Sequence, residues 1–85
     1  VIPEPGRARG ERMTPDVVVD IGNTRVKWGR CAAGRVAEVA AFGHDDPVGW
    51  KRQAELWGVA AGAAWAVAGV APSVVARFTD WLAGR

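Results

Sequence analysis

The sequence predicts an α/β fold, on three observations. A run of β-branched residues, Val17, Val18, Val19 and Ile21, leads into Gly22-Asn23-Thr24 and then alternates onward as Arg25, Val26, Lys27 and Trp28. The pair Asp45-Asp46 before Pro47 starts a stretch with Trp50, Ala54, Trp57 and Ala61 at helical spacing. An uncharged Ala- and Gly-rich run, residues 59–71, ends at Pro72-Ser73. Strand periodicity, helical periodicity and a strand-to-helix junction thus occur in one chain of 85 residues, long enough for one small domain.

The first segment reads as strand, tight turn, strand. Gly followed by Asn supplies the positive φ angles that a two-residue hairpin needs. Asp20 stands inside a run apolar enough to be buried on both faces, where a carboxylate wants a cation or donors nearby. In the second strand, the period of two sends Arg25 and Lys27 to one face and Val26 and Trp28 to the other. A basic face therefore flanks the turn, where Gly22 allows close backbone approach and Thr24 adds a hydroxyl. The set suits a nucleotide phosphate, with Asp20 holding Mg²⁺ through water, because Mg²⁺ keeps much of its hydration and takes one or two carboxylates.

The third segment, residues 35–43, has equivocal periodicity. A strand antiparallel to the second is favoured by the preceding Gly34 and by Val36 and Val39, and a short helix is the alternative. Asp46 then reads as an N-cap with Pro47 at the first helical position, and Gly58 as the stop. The stripe of Trp50 and Trp57 is expected to pack on the sheet rather than form an aromatic ligand cage, with Lys51, Arg52 and Glu55 on a solvated face. Residues 59–71 carry no charge and are too few to span a bilayer, which needs about 20. They read as a buried element whose residues 65–70 form a central strand parallel to the first. Pro72 or Ser73 opens a last helix with Val74, Phe78 and Leu82 on one stripe and Gly84 as its C-cap.

Composition narrows the function classes. The formal charge of +2 divides as three Arg against two Glu up to Met13 and eight basic against seven acidic residues beyond it. Spread so evenly, it is no nucleic-acid footprint. Cys31 is the one cysteine, which rules out an intrachain disulfide and points to a core thiol. His44 reads as a surface loop residue. Residues 1–13, rich in Pro, Gly and Arg, are expected to be a disordered extension, with Met13 as a candidate start site. They lack the apolar segment of a secretory signal, and a cytoplasmic protein without membrane partners is expected.

Asp20-x-Gly22-Asn23-Thr24-x-x-Lys27 resembles the first phosphate-binding motif of the type III pantothenate kinases, members of the acetate kinase, sugar kinase, heat-shock protein and actin superfamily. Gly-Asn-Thr after the aspartate is typical of this branch. Val70-Ala71-Pro72-Ser73 is similar to the family's Val-x-Pro-Ser segment, so the resemblance spans Met13 to Arg85. It implies that residues 14–85 are the N-terminal part of a ribonuclease H-like kinase domain, order βββαβα, with a mixed sheet and helices. The family continues into a second lobe, and nucleotide binds between the two. The implied activity is transfer of the ATP γ-phosphoryl to pantothenate, giving 4′-phosphopantothenate for coenzyme A synthesis. It would be carried out by a homodimer with Mg²⁺ and a monovalent cation, K⁺ or NH₄⁺. Asp20, Gly22, Asn23, Thr24 and Lys27 would be phosphate contacts, Asp20 also the metal contact. The family's Asp-x-Gly-Thr and Gly-x-Asp-Arg segments have no counterpart in these residues. The second of them bears the catalytic aspartate, which the resemblance therefore expects beyond Arg85, with no catalytic residue before it. Two other readings follow: a non-catalytic relative acting in transcriptional control, and an inactive truncated fragment with an unpaired strand edge.

Overall fold

The computed structural model describes residues 15–85. The expected disordered extension and the candidate start at Met13 lie outside the described residues. The elements run β1 (Val17–Ile21), β2 (Val26–Ala32), β3 (Arg35–Phe42), α1 (Pro47–Leu56), β4 (Trp65–Gly69) and α2 (Pro72–Ala83). The order is the expected βββαβα, and the third segment is a strand rather than a helix. The sheet is mixed, in the order β3-β2-β1-β4. β1 pairs antiparallel with β2 and parallel with β4, with Ile21 opposite Val26 and Gly69.

Both helices pack against one face of the sheet. That face carries Val17, Val19 and Ile21 of β1 and Val26 and Trp28 of β2, packed on Trp50 and Ala54 of α1 and Val74 and Phe78 of α2. Trp28 is the hub, with ring centroids 4.9 Å from Phe42, 5.0 Å from Trp65 and 5.8 Å from Phe78. Trp57 and Trp81 also lie against it, and Trp50 meets Phe78 edge-on at 5.0 Å, so every aromatic side chain of the protein joins one cluster. The tryptophans of α1 are therefore packing residues, as their spacing suggested. The buried indole nitrogens of Trp28 and Trp50 have no hydrogen-bond partner among the described residues. Both rings make T-shaped contacts, with Trp65 and Phe78 respectively.

The opposite face is uncovered by any described element. Strand alternation places Val18, Asp20, Lys27 and Gly29 there, together with Val39, which is 77% exposed. This corrects two expectations. Asp20 is exposed, not buried on both faces, because the helices pack only on the face of Val17, Val19 and Ile21. β4 is an edge strand rather than a central one, so Ala66 and Ala68, expected to be buried, are exposed.

The local signals at the helices act as their chemistry requires. Asp46 caps α1 by accepting the Gly49 N–H at 3.0 Å, with Pro47 at the first helical position. Gly58, at φ +65°, closes it in a Schellman motif: its N–H donates to the Glu55 carbonyl at 3.1 Å and the Val59 N–H to the Ala54 carbonyl at 2.9 Å. Ala61 consequently falls beyond the helix, off the stripe. α2 ends at Gly84 with Val74 and Phe78 buried and Leu82 half-buried. Cys31, near the end of β2 and past the helix-covered centre, is half-buried rather than a core thiol. No described helix is long and apolar enough to cross a membrane.

Candidate functional site

The turn after β1 differs from the two-residue hairpin that Gly22-Asn23 suggested. β1 and β2 close on the Ile21–Val26 pair, so four residues, 22–25, form the loop, and the Gly22 N–H donates to the Arg25 carbonyl at 2.8 Å. Positive φ angles among the described residues fall at Ala33 (54°), Gly34 (78°) and Gly58 (65°), none of them in this loop. A Cβ on Gly22 would meet only the Arg25 carbonyl oxygen, at 3.7 Å, an ordinary contact. Neither backbone angle nor packing therefore demands glycine at this position. The missing side chain leaves the backbone here open to close approach by a ligand.

The loop lines a concavity of about 290 Å³ with Asp20, Gly22, Thr24, Arg25 and Lys27. Four of the five sequence-predicted residues are thus together, and Asn23 is exposed on the same loop outside that lining. Asp20 and Lys27 are direct cross-strand partners on the uncovered face. Arg25 and Lys27 give two cations against one carboxylate, a balance that favours an anion. The described residues hold no cluster of three metal-ligating side chains. Asp20 alone fits Mg²⁺ only in the form in which that ion accompanies a nucleotide, where water and phosphate oxygens complete its shell.

Three chain segments meet at this end of the sheet. β4 runs parallel to β1, so its C-terminal end lies beside the loop, where the Val70 N–H donates to the Ile21 carbonyl at 3.0 Å and leads into the start of α2. Gly69 is required here, since a Cβ would stand 2.6 Å from the Ile21 Cβ and 2.7 Å from its carbonyl oxygen. From the turn between β3 and α1, His44 Nε2 lies 2.7 Å from the Gly22 carbonyl oxygen. A carbonyl can only accept, so Nε2 carries the proton. The His44 carbonyl in turn accepts a long 3.5 Å bond from Arg77 of α2. Sequence reasoning missed His44. The available signal was topological: a β3 antiparallel to β2 must end where β2 begins, which brings residue 44 to the loop.

Arg85, beyond which the resemblance expects the catalytic aspartate, is at the other end of the sheet. Its guanidinium donates to the Val59 carbonyl at 3.2 Å and stands 6.0 Å and 5.6 Å from the ring centroids of Trp65 and Trp81. Arg85 is therefore a packing residue on the aromatic cluster, at the start of β4 rather than beside the loop.

A larger cleft of about 570 Å³, lined among others by Asp16, Arg30, Cys31 and Trp57, lies away from the loop. Its charged groups are engaged within the fold, Asp16 accepting the Ala64 N–H at 2.8 Å and Arg30 paired with Glu38 at 2.8 Å. The smaller concavity is the better candidate because its cations face no such partner among the described ion pairs. No protein-family model, curated protein or solved structure matches the chain. The reading of the site rests on these residues.

Proposed function

We propose that this chain is the phosphate-binding part of a type III pantothenate kinase, transferring the ATP γ-phosphoryl to the primary hydroxyl of pantothenate. The observation that carries it is the gathering of Asp20, Gly22, Thr24 and Lys27 around one concavity, on a loop whose glycine the fold itself does not need. On this reading the four-stranded sheet with its two helices is the opening of a ribonuclease H-like domain.

Each residue has a distinct part. Lys27, with Arg25 beside it, neutralises phosphate charge, and the Thr24 hydroxyl donates to a phosphate oxygen. Gly22 lets the backbone come close, and Asp20 holds the Mg²⁺ that travels with the nucleotide, through water. Phosphoryl transfer depends on in-line positioning and charge neutralisation, and these residues serve the donor side. A general base must stand at the acceptor hydroxyl, and on this reading Asp20, opposite Lys27, serves metal and phosphate instead. Binding without turnover by this chain is the second reading, favoured by Asp20 being the one carboxylate lining the concavity.

Mg·ATP titration of the chain and its Lys27→Ala variant, followed by a coupled assay with pantothenate, tests the proposal. Loss of one charge-assisted contact is expected to weaken Mg·ATP binding about tenfold or more, with the unfolding midpoint unchanged because Lys27 is exposed. Equal affinities, or parallel losses of affinity and stability, overturn it. Binding with no phosphoryl transfer to pantothenate by the full-length protein, in which the expected catalytic aspartate would be present, selects the second reading.

A further inference from the structure

We infer that His44 is a positioning residue for this loop: its bond to the Gly22 carbonyl fixes the plane of the Gly22–Asn23 peptide and turns the Asn23 N–H toward the phosphate. The inference rests on the phosphate reading above and adds to it a residue outside the motif.

Two hydrogen bonds hold the loop. The Gly22 N–H is fixed by the Arg25 carbonyl at 2.8 Å, and the Gly22 carbonyl by His44 Nε2–H at 2.7 Å. In a trans peptide the carbonyl of one residue and the N–H of the next point in opposite directions. Fixing the carbonyl of Gly22 therefore fixes the N–H of Asn23. His44 stands on the turn after β3, across β2 from β1, and its own carbonyl takes Arg77 of α2. Asp20 and Lys27, which line the concavity, lie on the uncovered side. The Asn23 N–H is thereby held pointing away from the imidazole. Without the imidazole, this peptide next to a glycine would be free to turn over, and an anion would have to order it on binding. This also gives a part through its backbone to Asn23, which is not among the residues lining the concavity.

Two substitutions separate positioning from mere support. In His44→Gln the amide nitrogen occupies the place of Nε2 and still donates to the Gly22 carbonyl. In His44→Asn it stops at the place of Nδ1 and does not reach. Amide spectra of the ligand-free proteins, near-ultraviolet circular dichroism of the tryptophan cluster and Mg·ATP titrations are to be compared for wild type and both variants. His44→Asn is expected to move the Asn23 amide resonance and weaken Mg·ATP binding about tenfold, the worth of one ordered donor to a charged group, while His44→Gln stays within about threefold of wild type. The tryptophan signal should be the same in all three. Equal binding by the two variants, or an Asn23 amide unmoved in His44→Asn, overturns the inference and leaves the phosphate reading in place. A tryptophan signal lost in step with affinity makes His44 a structural residue and overturns it too. Absence of Mg·ATP binding in the wild type removes the phosphate reading, and the inference falls with it.

Discussion

The two turns that flank β2 look alike in sequence and do different work. Gly22-Asn23 has the residues of a twist-matched hairpin, yet its loop spans four residues and uses no positive φ. Ala33-Gly34 has an alanine where such a turn prefers Asn, Asp or Gly, yet both of its residues have positive φ, and the flanking pair Ala32–Arg35 makes it a two-residue connection. At the first turn permissive residues stand where the backbone does not need them, and at the second an alanine shares the left-handed backbone with a glycine. A left-handed alanine is unfavourable by about 1 kcal/mol or more, so the second turn is held by the strand pairing on either side. The first is free of that demand, and its composition is explained by the anion it is proposed to hold.

Substitutions can break or sharpen this contrast. The largest effect is expected at Gly69, beside the first loop, where glycine is demanded by packing. Gly69→Ala should cost about 2 kcal/mol, because the new methyl would press on the Ile21 backbone rather than on a movable side-chain end. Denaturant unfolding followed by tryptophan fluorescence measures it.

Gly22→Ala should do the reverse. With only the Arg25 carbonyl at 3.7 Å to meet, the fold should stay equally stable or gain up to about 1 kcal/mol through the unfolded chain. Mg·ATP affinity should fall severalfold, since the methyl would stand where the phosphate is proposed to approach. A loss of stability beyond about 1 kcal/mol would show that the fold needs this glycine and would erase the contrast.

The smallest effect is expected at the second turn. Ala33→Asn, a residue that tolerates positive φ, should raise stability by about 0.5 kcal/mol without changing ligand affinity.

Much of the fold was legible because local signals and topology agreed. Asp46-Pro47, Gly58 and Pro72 act at the helix ends where their cap chemistry put them, while α2 ends at Gly84 without the left-handed angle a capping glycine supplies. The alternation of Val26 and Trp28 against Lys27 placed the basic side chain on the correct face of β2. Asp20 departs from its expectation because the sheet is covered on one face only: an apolar run with a single carboxylate looks the same whether both faces are packed or one is. β4 departs from its own because an uncharged run does not show whether a strand is paired on both edges. The loop conformation was illegible for another reason: Gly-Asn permits positive φ but does not compel it, and the extra residues of the loop removed the need. His44 carried no local signal at all. Its contact spans 22 residues and exists only once β3 is set antiparallel to β2.

The central claim is that residues 20–27 form an anion-binding loop. A titration of the isotopically labelled chain with Mg·ATP, followed residue by residue through backbone amide shifts, tests it most directly. The account predicts saturable shifts concentrated at Asp20, Gly22, Asn23, Thr24, Arg25 and Lys27, with smaller ones at His44. Shifts confined to the cleft of Asp16, Arg30 and Trp57, or no saturable shift anywhere, would contradict it.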